Sequence, residues 1–342
     1  MKQHRTLIVG AVPLVLGLVG WFAAANLTAY TLDVATSLLI LLIAAQAFNI
    51  LAGFTGQFSL GTSAFIGTGA YATALTLDHL DVGPWTALLA GAAAGGLLAV
   101  LLSPALLRLQ GDYFTIGSLA AALGVQALAT NLDLVGRSAG VDVPFASIPV
   151  NVDLFRVALI GAVTAAVISV WFARSPFGLR LSAVGQDQSA AVGLGIHVFS
   201  LRLVSFAVSG ALTGVAGTVL ALQQVHIEPS GSLGVSWTIS VVLMTIVGGL
   251  GTLLGPVLGV CIIYLGVTKQ FADQPITGLV VQGFILIAVV RFAPSGIWPL
   301  VRDAATRVRP SNSAKADNAS EADVPAANTD AGTADNSHQS VV

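Results

Sequence analysis

The chain has 342 residues, of which 55% are hydrophobic and only 9% are charged, and its mean hydropathy is +0.88. This composition excludes a soluble globular domain, and a net charge of −2 is too small to indicate a nucleic-acid-binding protein. Apolar runs of about 18 residues or more predict an all-α integral membrane protein with several spans. The single cysteine, Cys261, excludes a disulfide framework and a cysteine metal site.

Apolar segments follow one another along the chain and predict about ten transmembrane segments. Their ranges are 7–25, 34–53, 58–77, 85–107, 114–131, 155–173, 201–222, 235–248, 253–267 and 277–293. We interpret the first as a span rather than a secretory signal, because no convincing small-residue cleavage motif follows it. The eighth is shorter than the about 20 residues of a full crossing. It is therefore either a crossing or a half-helix that breaks at Gly248, Gly249 and Gly251.

The basic residues predict the side of the membrane on which each connection lies. With an even number of spans, both termini share one side with eleven basic residues: Lys2, Arg5, Arg108, Arg174, Arg180, Arg202, Arg291, Arg302, Arg307, Arg309 and Lys315. The opposite side holds only Arg137, Arg156 and Lys269. This bias predicts cytoplasmic N- and C-termini in a cell (plasma or inner) membrane.

Two regions of different composition predict the domain organisation. Residues 1–303 are expected to form one polytopic transmembrane domain in the lipid bilayer. Residues 304–342 are rich in Ala, Asn, Ser, Asp and Glu. Such a segment cannot bury enough apolar surface to offset its chain entropy, so we expect a disordered cytoplasmic tail.

The segment 174–202 is the longest polar connection between spans, and it is predicted to be cytoplasmic. Ser175 is a suitable N-cap, and Pro176 follows it at the first helical position, where the missing N–H costs nothing. The helix that begins there should weaken at Gly185.

A second short helix is predicted within the same connection. Asp187 can cap a helix from Gln188 to Leu194, and Gly195 can close it in the left-handed conformation. A helix of this length is not stable alone and has to be held by packing. The segment is therefore either a docking surface for another protein, with small residues at Ala190 and Ala191, or an ordinary connection.

Glycines and amides cluster where the second predicted span ends. The cluster consists of Gln46, Asn49, Gly53, Gly56, Gln57, Ser59 and Gly61. Each glycine weakens a helix by about 1 kcal/mol relative to alanine. Amides are costly against lipid, so they should face protein or a water-filled cavity. The pattern indicates either a helix break beside a translocation path or glycines that allow tight helix packing.

The later stretch from Val247 to Pro256 repeats this pattern, with Gly248, Gly249 and Gly251. Two glycine-interrupted apolar segments in comparable halves of a chain are typical of a duplicated, pseudo-symmetric transporter core.

Signatures of enzymes and of self-sufficient carriers are missing from the sequence. None of the three lysines follows a glycine, so the chain has no P-loop for ATP. The histidines show no metal-ligand spacing, and no acid–base or nucleophile set is apparent. Charged residues are nearly absent from the spans, which disfavours a proton-coupled carrier. The chain therefore shows no energy source of its own.

At these motifs the chain resembles the LivM-type permeases of branched-chain amino acid ABC importers, over about residues 34–300. The similar stretches are Gly53–Gly61, Ala64–Phe65, Gly67–Tyr71, Gly111–Ile116, Val247–Pro256 and Pro294–Ile297. Thr62 stands where the family usually has His.

The connection 174–202 resembles the coupling motif of that family. The matching residues are Asp187, Ala190, Ala191, Gly195 and Ile196. Gly185, Gln186 and Gln188 stand where the family has an Arg and two Glu. The resemblance implies that this loop sits in a groove of a separate ATPase, and the lost charges favour docking by shape.

The resemblance implies the ABC importer permease architecture and a transport subunit that is not an enzyme and has no cofactor or metal site of its own. ATP and Mg would bind to two ATP-binding cassette subunits. The other implied partners are a LivH-like permease and an extracytoplasmic substrate-binding protein, and the implied substrate is a branched-chain or other apolar amino acid. A urea or short-chain amide permease is the alternative within this class. A self-sufficient channel or secondary carrier is the alternative outside it.

Overall fold

The computed structural model of the chain describes residues 13–15, 17–80, 83–144, 149–271, 274–292 and 296–299. The predicted tail 304–342 lies outside these residues, as do Lys2, Arg5, Arg302, Arg307, Arg309 and Lys315. The first predicted span, 7–25, lies only partly within them.

The described elements are almost all helical. Residues 13–15 and 17–23 are helical, and a 3₁₀ turn follows at Ala24–Asn26. The further helices are α1 (Ala29–Asn49), α2 (Thr62–Leu80), α3 (Pro84–Leu106), α4 (Asp112–Asn131), α5 (Asn151–Arg174), α6 (Pro176–Gln186), α7 (Gln188–Gly193), α8 (Val198–Gln224), α9 (Pro229–Ser232), α10 (Val235–Gly248), α11 (Gly255–Ile263) and α12 (Pro275–Phe292). Wider π turns extend α1 through Ile50–Phe54 and α11 through Tyr264–Thr268.

Two short strands lie between helices. The first follows 3₁₀ turns at Asp133–Val135 and Arg137–Ala139, and the second follows α8. Strand β1 (Val141–Asp142) pairs antiparallel with β2 (His226–Ile227), so that Val141 faces Ile227. We call this end of the helix bundle the strand end. The opposite end, where α6 and α7 connect α5 to α8, is called the loop end.

Six helical segments of the described chain are long and apolar enough to cross a membrane. They are Ala29–Phe54, Pro84–Leu106, Asp112–Asn131, Asn151–Arg174, Val198–Gln224 and Pro229–Gly248. The all-helical membrane fold is confirmed, but the predicted count of about ten segments is not. The segment 235–248 gains length from α9, which makes 20 residues from Pro229 to Gly248.

Helix α8 is the centre of the bundle, and α2 and α3 pack against it through glycines. A side chain at Gly214 would overlap the carbonyl oxygen of Gly91 on α3, and one at Gly95 would overlap that of Gly210. Gly69 of α2 meets Gly214 in the same way. In lipid, helices gain no hydrophobic free energy by associating. Close backbone approach through small residues therefore stabilises their packing.

Replacing Gly214 with alanine tests this packing. The added methyl group meets fixed backbone atoms, so we expect Gly214→Ala to destabilise the fold by about 1–3 kcal/mol. Gly124→Ala on α4 is the matched control, because nothing lies within 4 Å of its added Cβ. The apparent melting temperature of the purified protein should fall for the first variant and not for the second. Equal melting temperatures would contradict the glycine-mediated packing.

Candidate functional site

The first predicted helix break is present at the loop end of α1. The helix widens into the π turn Ile50–Phe54, and Gly56 then takes a φ of +69°. Such a conformation suits glycine, because a Cβ atom is disfavoured there. The chain is not helical again until α2 begins at Thr62. The helix break, one of the two alternatives that the sequence left open for this glycine cluster, is therefore present between the span Ala29–Phe54 and α2.

The non-helical residues of this break take their hydrogen bonds from α4. Ser118 Oγ accepts from the Leu60 N–H at 2.9 Å, and Thr115 Oγ1 donates to the Phe58 carbonyl at 2.8 Å. Ser59 is buried, and its Oγ accepts from the Gly61 N–H at 3.2 Å. Irregular backbone is tolerated at membrane depth only when protein or water satisfies it, and here protein does.

The second predicted break lies between α10 and α11. Helix α10 ends at Gly248, and Gly249 and Gly251 have φ values of +120° and +72°. Thr252 stabilises the turn: its Oγ1 donates to the Gly249 carbonyl at 2.7 Å and accepts from the Gly255 N–H at 3.0 Å. The described Gly296, which belongs to another motif of the sequence, packs directly against Gly249.

The two breaks are locked together by amide side chains of α1. Asn49 Nδ2 donates to the Thr252 carbonyl at 2.9 Å, and Asn49 Oδ1 accepts from the Gly251 N–H at 2.8 Å. One turn earlier, Gln46 Nε2 donates to the Leu253 carbonyl at 3.3 Å. Asn49 is fully buried. We call the contacts of Gln46 and Asn49 with residues 251–253 the interlock.

Gly53 allows the interlock to form. A Cβ atom at this position would lie 2.5 Å from Asn49 Oδ1 and 2.5 Å from the Gly251 nitrogen. Any larger residue would therefore push the two breaks apart. The sequence offered a helix break as one alternative at both glycine clusters and placed the amides against protein or a water-filled cavity, but it gave no sign that α1 binds the second break.

Gln57 stands apart from the interlock. Its side chain is 5% exposed, and neither Nε2 nor Oε1 has a hydrogen-bond partner. A buried polar group without a partner costs about 1–3 kcal/mol. Such a group calls for an explanation, which a role in function would supply.

The caps predicted in the loop are confirmed. Ser175 Oγ accepts from the Gly178 N–H at 3.1 Å and begins α6. Asp187 Oδ1 accepts from the backbone of Ser189 at 2.9 Å and of Ala190 at 3.1 Å, and begins α7. The hydroxyl of Ser189 also donates to Asp187, and these bonds together lower the pKa of this exposed carboxyl.

The end of α7 also follows the prediction. Gly195 has a φ of +77°, and the Ile196 N–H returns to the Ala191 carbonyl at 3.1 Å. Helix α7 itself ends at Gly193, one residue before the predicted end.

Burial divides the predicted coupling residues into two groups. Ala191 is 2% exposed and belongs to the main hydrophobic core, so its small size serves packing within the chain. Asp187, Ala190 and Gly195 are exposed, and Ile196 is half-buried. The roles of these residues in coupling remain predictions.

Large apolar side chains are exposed at the loop end, and they indicate an interaction surface more clearly than the small residues of the predicted coupling motif do. Leu194 is 80% exposed, Leu179 69% and Val192 57%. They were not among the residues predicted from the sequence, although large apolar residues in a polar connection indicate a possible interaction surface. Exposed large apolar residues at one end of the bundle are candidates for a protein interaction surface.

Helix α6 touches the first break directly. A Cβ atom at Gly185 would lie 3.1 Å from the Thr55 carbonyl carbon, and one at Gly56 would lie 3.2 Å from the Gly185 oxygen. The glycine at position 185, where the resemblance leads one to expect Arg, therefore permits backbone-to-backbone contact.

At the strand end, a side-chain hydrogen bond closes the pair of strands. His226 Nδ1 lies 2.6 Å from Asp142 Oδ1, and this bond raises the pKa of His226 above its ordinary value. Within the described residues, no group of three or more His, Cys, Asp or Glu side chains is placed to hold a metal ion.

Comparison with known proteins places these features in a family. Residues 30–290 match the family described as the branched-chain amino acid transport system permease component. The high-affinity branched-chain amino acid transport system permease protein LivM of Salmonella typhimurium is 26% identical over 306 residues, which cover 80% of this chain and 71% of that protein.

Relatives with other printed substrates match as well. The nucleoside ABC transporter permease protein NupC of Lactococcus lactis is 33% identical over 154 residues, covering 40% of this chain and 48% of that protein. The autoinducer 2 import system permease protein LsrC of Yersinia enterocolitica is 25% identical, covering 68% of this chain and 66% of that protein. No solved structure gives a significant match.

Removing the Asn49 amide tests the interlock. Asn49→Ala leaves the Gly251 N–H and the Thr252 carbonyl without partners, so we expect a loss of about 1–3 kcal/mol in stability. Asn131→Ala is the matched control, because Asn131 is exposed and bonds only the carbonyl of Ala127 in its own helix. Thermal unfolding of the purified proteins measures the difference. A melting temperature for Asn49→Ala no lower than that of the control would refute the interlock.

Proposed function

The chain belongs to the family of branched-chain amino acid transport system permease components, and from this we propose that it is the permease subunit of an ATP-driven importer for branched-chain or other apolar amino acids. The relative described as a LivM permease supports this substrate class, because its similarity covers 80% of the chain. Similarity to the nucleoside permease covers only 40%.

The contact between α6 and the first break is the observation that supports ATP-driven transport in this proposal. The chain has no P-loop, so the energy comes from separate ATPase subunits that dock at the loop end. Leu179, Val192 and Leu194 offer an apolar docking surface there. Gly185 then passes the movement of the docked loop to Thr55 and Gly56.

The interlock acts as the gate in this account. It joins the end of α1 to the non-helical residues 251–253 through three side-chain hydrogen bonds, so it can open without unfolding a helix. Opening separates Gly251 and Thr252 from Asn49 and exposes backbone groups and amides to a passing substrate.

The proposed assembly contains a LivH-like second permease, two ATP-binding cassette subunits that bind ATP and Mg, and an extracytoplasmic substrate-binding protein. The loop end and both termini are cytoplasmic, and the strand end faces outward in the cell membrane. The basic residues at Arg174 and Arg180 are consistent with this orientation. Residues 1–303 make up the permease domain, and 304–342 a cytoplasmic tail.

A nucleoside permease is the second candidate, because relatives of that kind match parts of the chain. Reconstitution of the complex with its ATPases and binding protein in proteoliposomes separates the two. We expect ATP-dependent uptake of radiolabelled leucine and none of uridine. Uptake of uridine without uptake of leucine would show that the substrate is a nucleoside and not an amino acid. Leucine uptake without the ATPase subunits would refute the proposal of an ATP-driven importer.

Ala190→Arg tests docking at the loop end. The residue is exposed on α7, so a large charged side chain should block association with the ATPase subunits without disturbing the core. Ala139→Arg, which changes another exposed alanine at the strand end, is the control. Co-purification of the ATPase subunits should fall at least tenfold for the first variant alone. Normal co-purification of Ala190→Arg would move the docking surface elsewhere.

Gln57→Leu tests whether the unpaired amide serves transport. Leucine removes a buried group that makes no hydrogen bond, so the melting temperature should stay equal or rise. Uptake should nevertheless fall, because the opened break loses a polar contact for the substrate. Gln110→Leu, in an exposed turn, serves as the control. If Gln57→Leu retains wild-type uptake kinetics, the amide has only a packing role.

A further inference from the structure

A cavity at the strand end lies on the same helices as the interlock. It has a volume of about 460 Å³ and lies between α1, α8, α10 and the π turn after α11. Helix α1 runs from this cavity, at Asp33 and Ser37, to the interlock at Asn49. Helix α10 likewise runs from the cavity, at Ser240, to the second break. The cavity therefore lies above the gate and on the side that the proposed function assigns to the outside.

One wall of the cavity carries a group of oxygen atoms around a carboxylate. Gln223 Nε2 donates to Asp33 Oδ1 at 2.7 Å and to Ser37 Oγ at 2.8 Å. These bonds fix the three side chains across α1 and α8. Asp33 Oδ2, Gln223 Oε1 and the second lone pair of Ser37 Oγ remain able to accept hydrogen bonds.

This group has the chemistry that recognises a primary ammonium. An ammonium has three donors and one positive charge, and the wall presents three acceptors and one negative charge. Among the ion pairs formed by the described residues, none involves Asp33. The nearby cation Lys269 instead lies over the ring of Tyr30, 5.1 Å from its centroid.

The part of the cavity lining formed by α10 and the π turn after α11 carries hydroxyl groups. Gln282 is buried between them: its Nε2 donates to Thr268 Oγ1 at 3.2 Å, and its Oε1 accepts from Ser240 Oγ at 3.4 Å. The bond from Ser240 is long, so this hydroxyl can turn toward a ligand carboxylate at little cost. Thr268 belongs to the π turn, and such turns occur frequently at functional sites.

Apolar side chains form part of the remaining surface, which also includes Gln224, Ser236, Trp237 and Tyr264. Ile40 and Leu41 of α1, Leu220 of α8 and Met244 of α10 line the cavity on the side nearer the gate, and all four are buried. An aliphatic side chain that enters between the two polar walls would meet these residues.

We propose that this cavity binds the zwitterion of an aliphatic α-amino acid, with Asp33, Ser37 and Gln223 around its ammonium, Ser240 and Thr268 near its carboxylate, and Ile40, Leu41, Leu220 and Met244 around its side chain. This inference rests on the proposed function and gives it a substrate site within this chain. A nucleoside has no ammonium group and would leave the Asp33 carboxylate without a charged partner.

The test compares Asp33→Asn with Asp33→Glu in the complete reconstituted transporter. Asparagine keeps the size and the acceptor for Gln223 but removes the charge, whereas glutamate keeps the charge and changes the size. We expect leucine uptake to fall about tenfold or more in Asp33→Asn and to recover substantially in Asp33→Glu. ATP hydrolysis stimulated by the leucine-loaded binding protein should change less than twofold in both, because docking and coupling lie elsewhere.

Asp153→Asn is the control, since Asp153 is a partly exposed carboxylate at the same end of the bundle, paired with Arg156 and away from the cavity. Wild-type leucine uptake in Asp33→Asn would overturn the site while leaving the importer function intact. Better uptake by Asp33→Asn than by Asp33→Glu would also overturn it, because shape rather than charge would then matter. Failure of the wild-type complex to import leucine would instead refute the proposed function.

Discussion

The fully buried Asn49 amide, which bonds the backbone of a second helix break, is the interaction on which the rest of the structure depends. In an apolar environment, non-helical backbone has to find its hydrogen bonds within the protein. Residues 251 and 252 find theirs on α1, and Gly53 leaves the space for them. The end of α1 thereby stabilises the second break, and Gly53 of the first break lies directly against it.

This arrangement connects the two ends of the molecule. At the loop end, Gly185 of α6 lies against the backbone of Thr55, and in the proposed mechanism a force on the loop reaches the first break through this contact. At the strand end, the same α1 forms a wall of the proposed substrate cavity with Asp33. Helices α2, α3 and α8 pack against one another through glycines, and in the proposed mechanism they stay fixed while these segments move.

Much of this could be predicted from the sequence, because the signals were local. The cap at Asp187, the left-handed Gly195 and the breaks at the glycine clusters all follow from neighbouring residues. The hydrogen bond between Asn49 and Gly251 could not be predicted, because it joins residues that are 202 positions apart in the sequence. Burial of Ala191 and exposure of Leu194 likewise depend on how α7 packs against α8, and the number of crossings depends on helix ends that hydropathy does not fix.

Sided labelling of a single cysteine tests most directly whether the interlock closes the path below the cavity. In a Cys261→Ser background, Ser240→Cys places a thiol in the cavity wall. A membrane-impermeant thiol reagent should then react in nucleotide-free membranes from the outer, strand-end face only. Adding Asn49→Ala should make the thiol reactive from both faces. Reaction from the cytoplasmic face while Asn49 is intact would contradict the account.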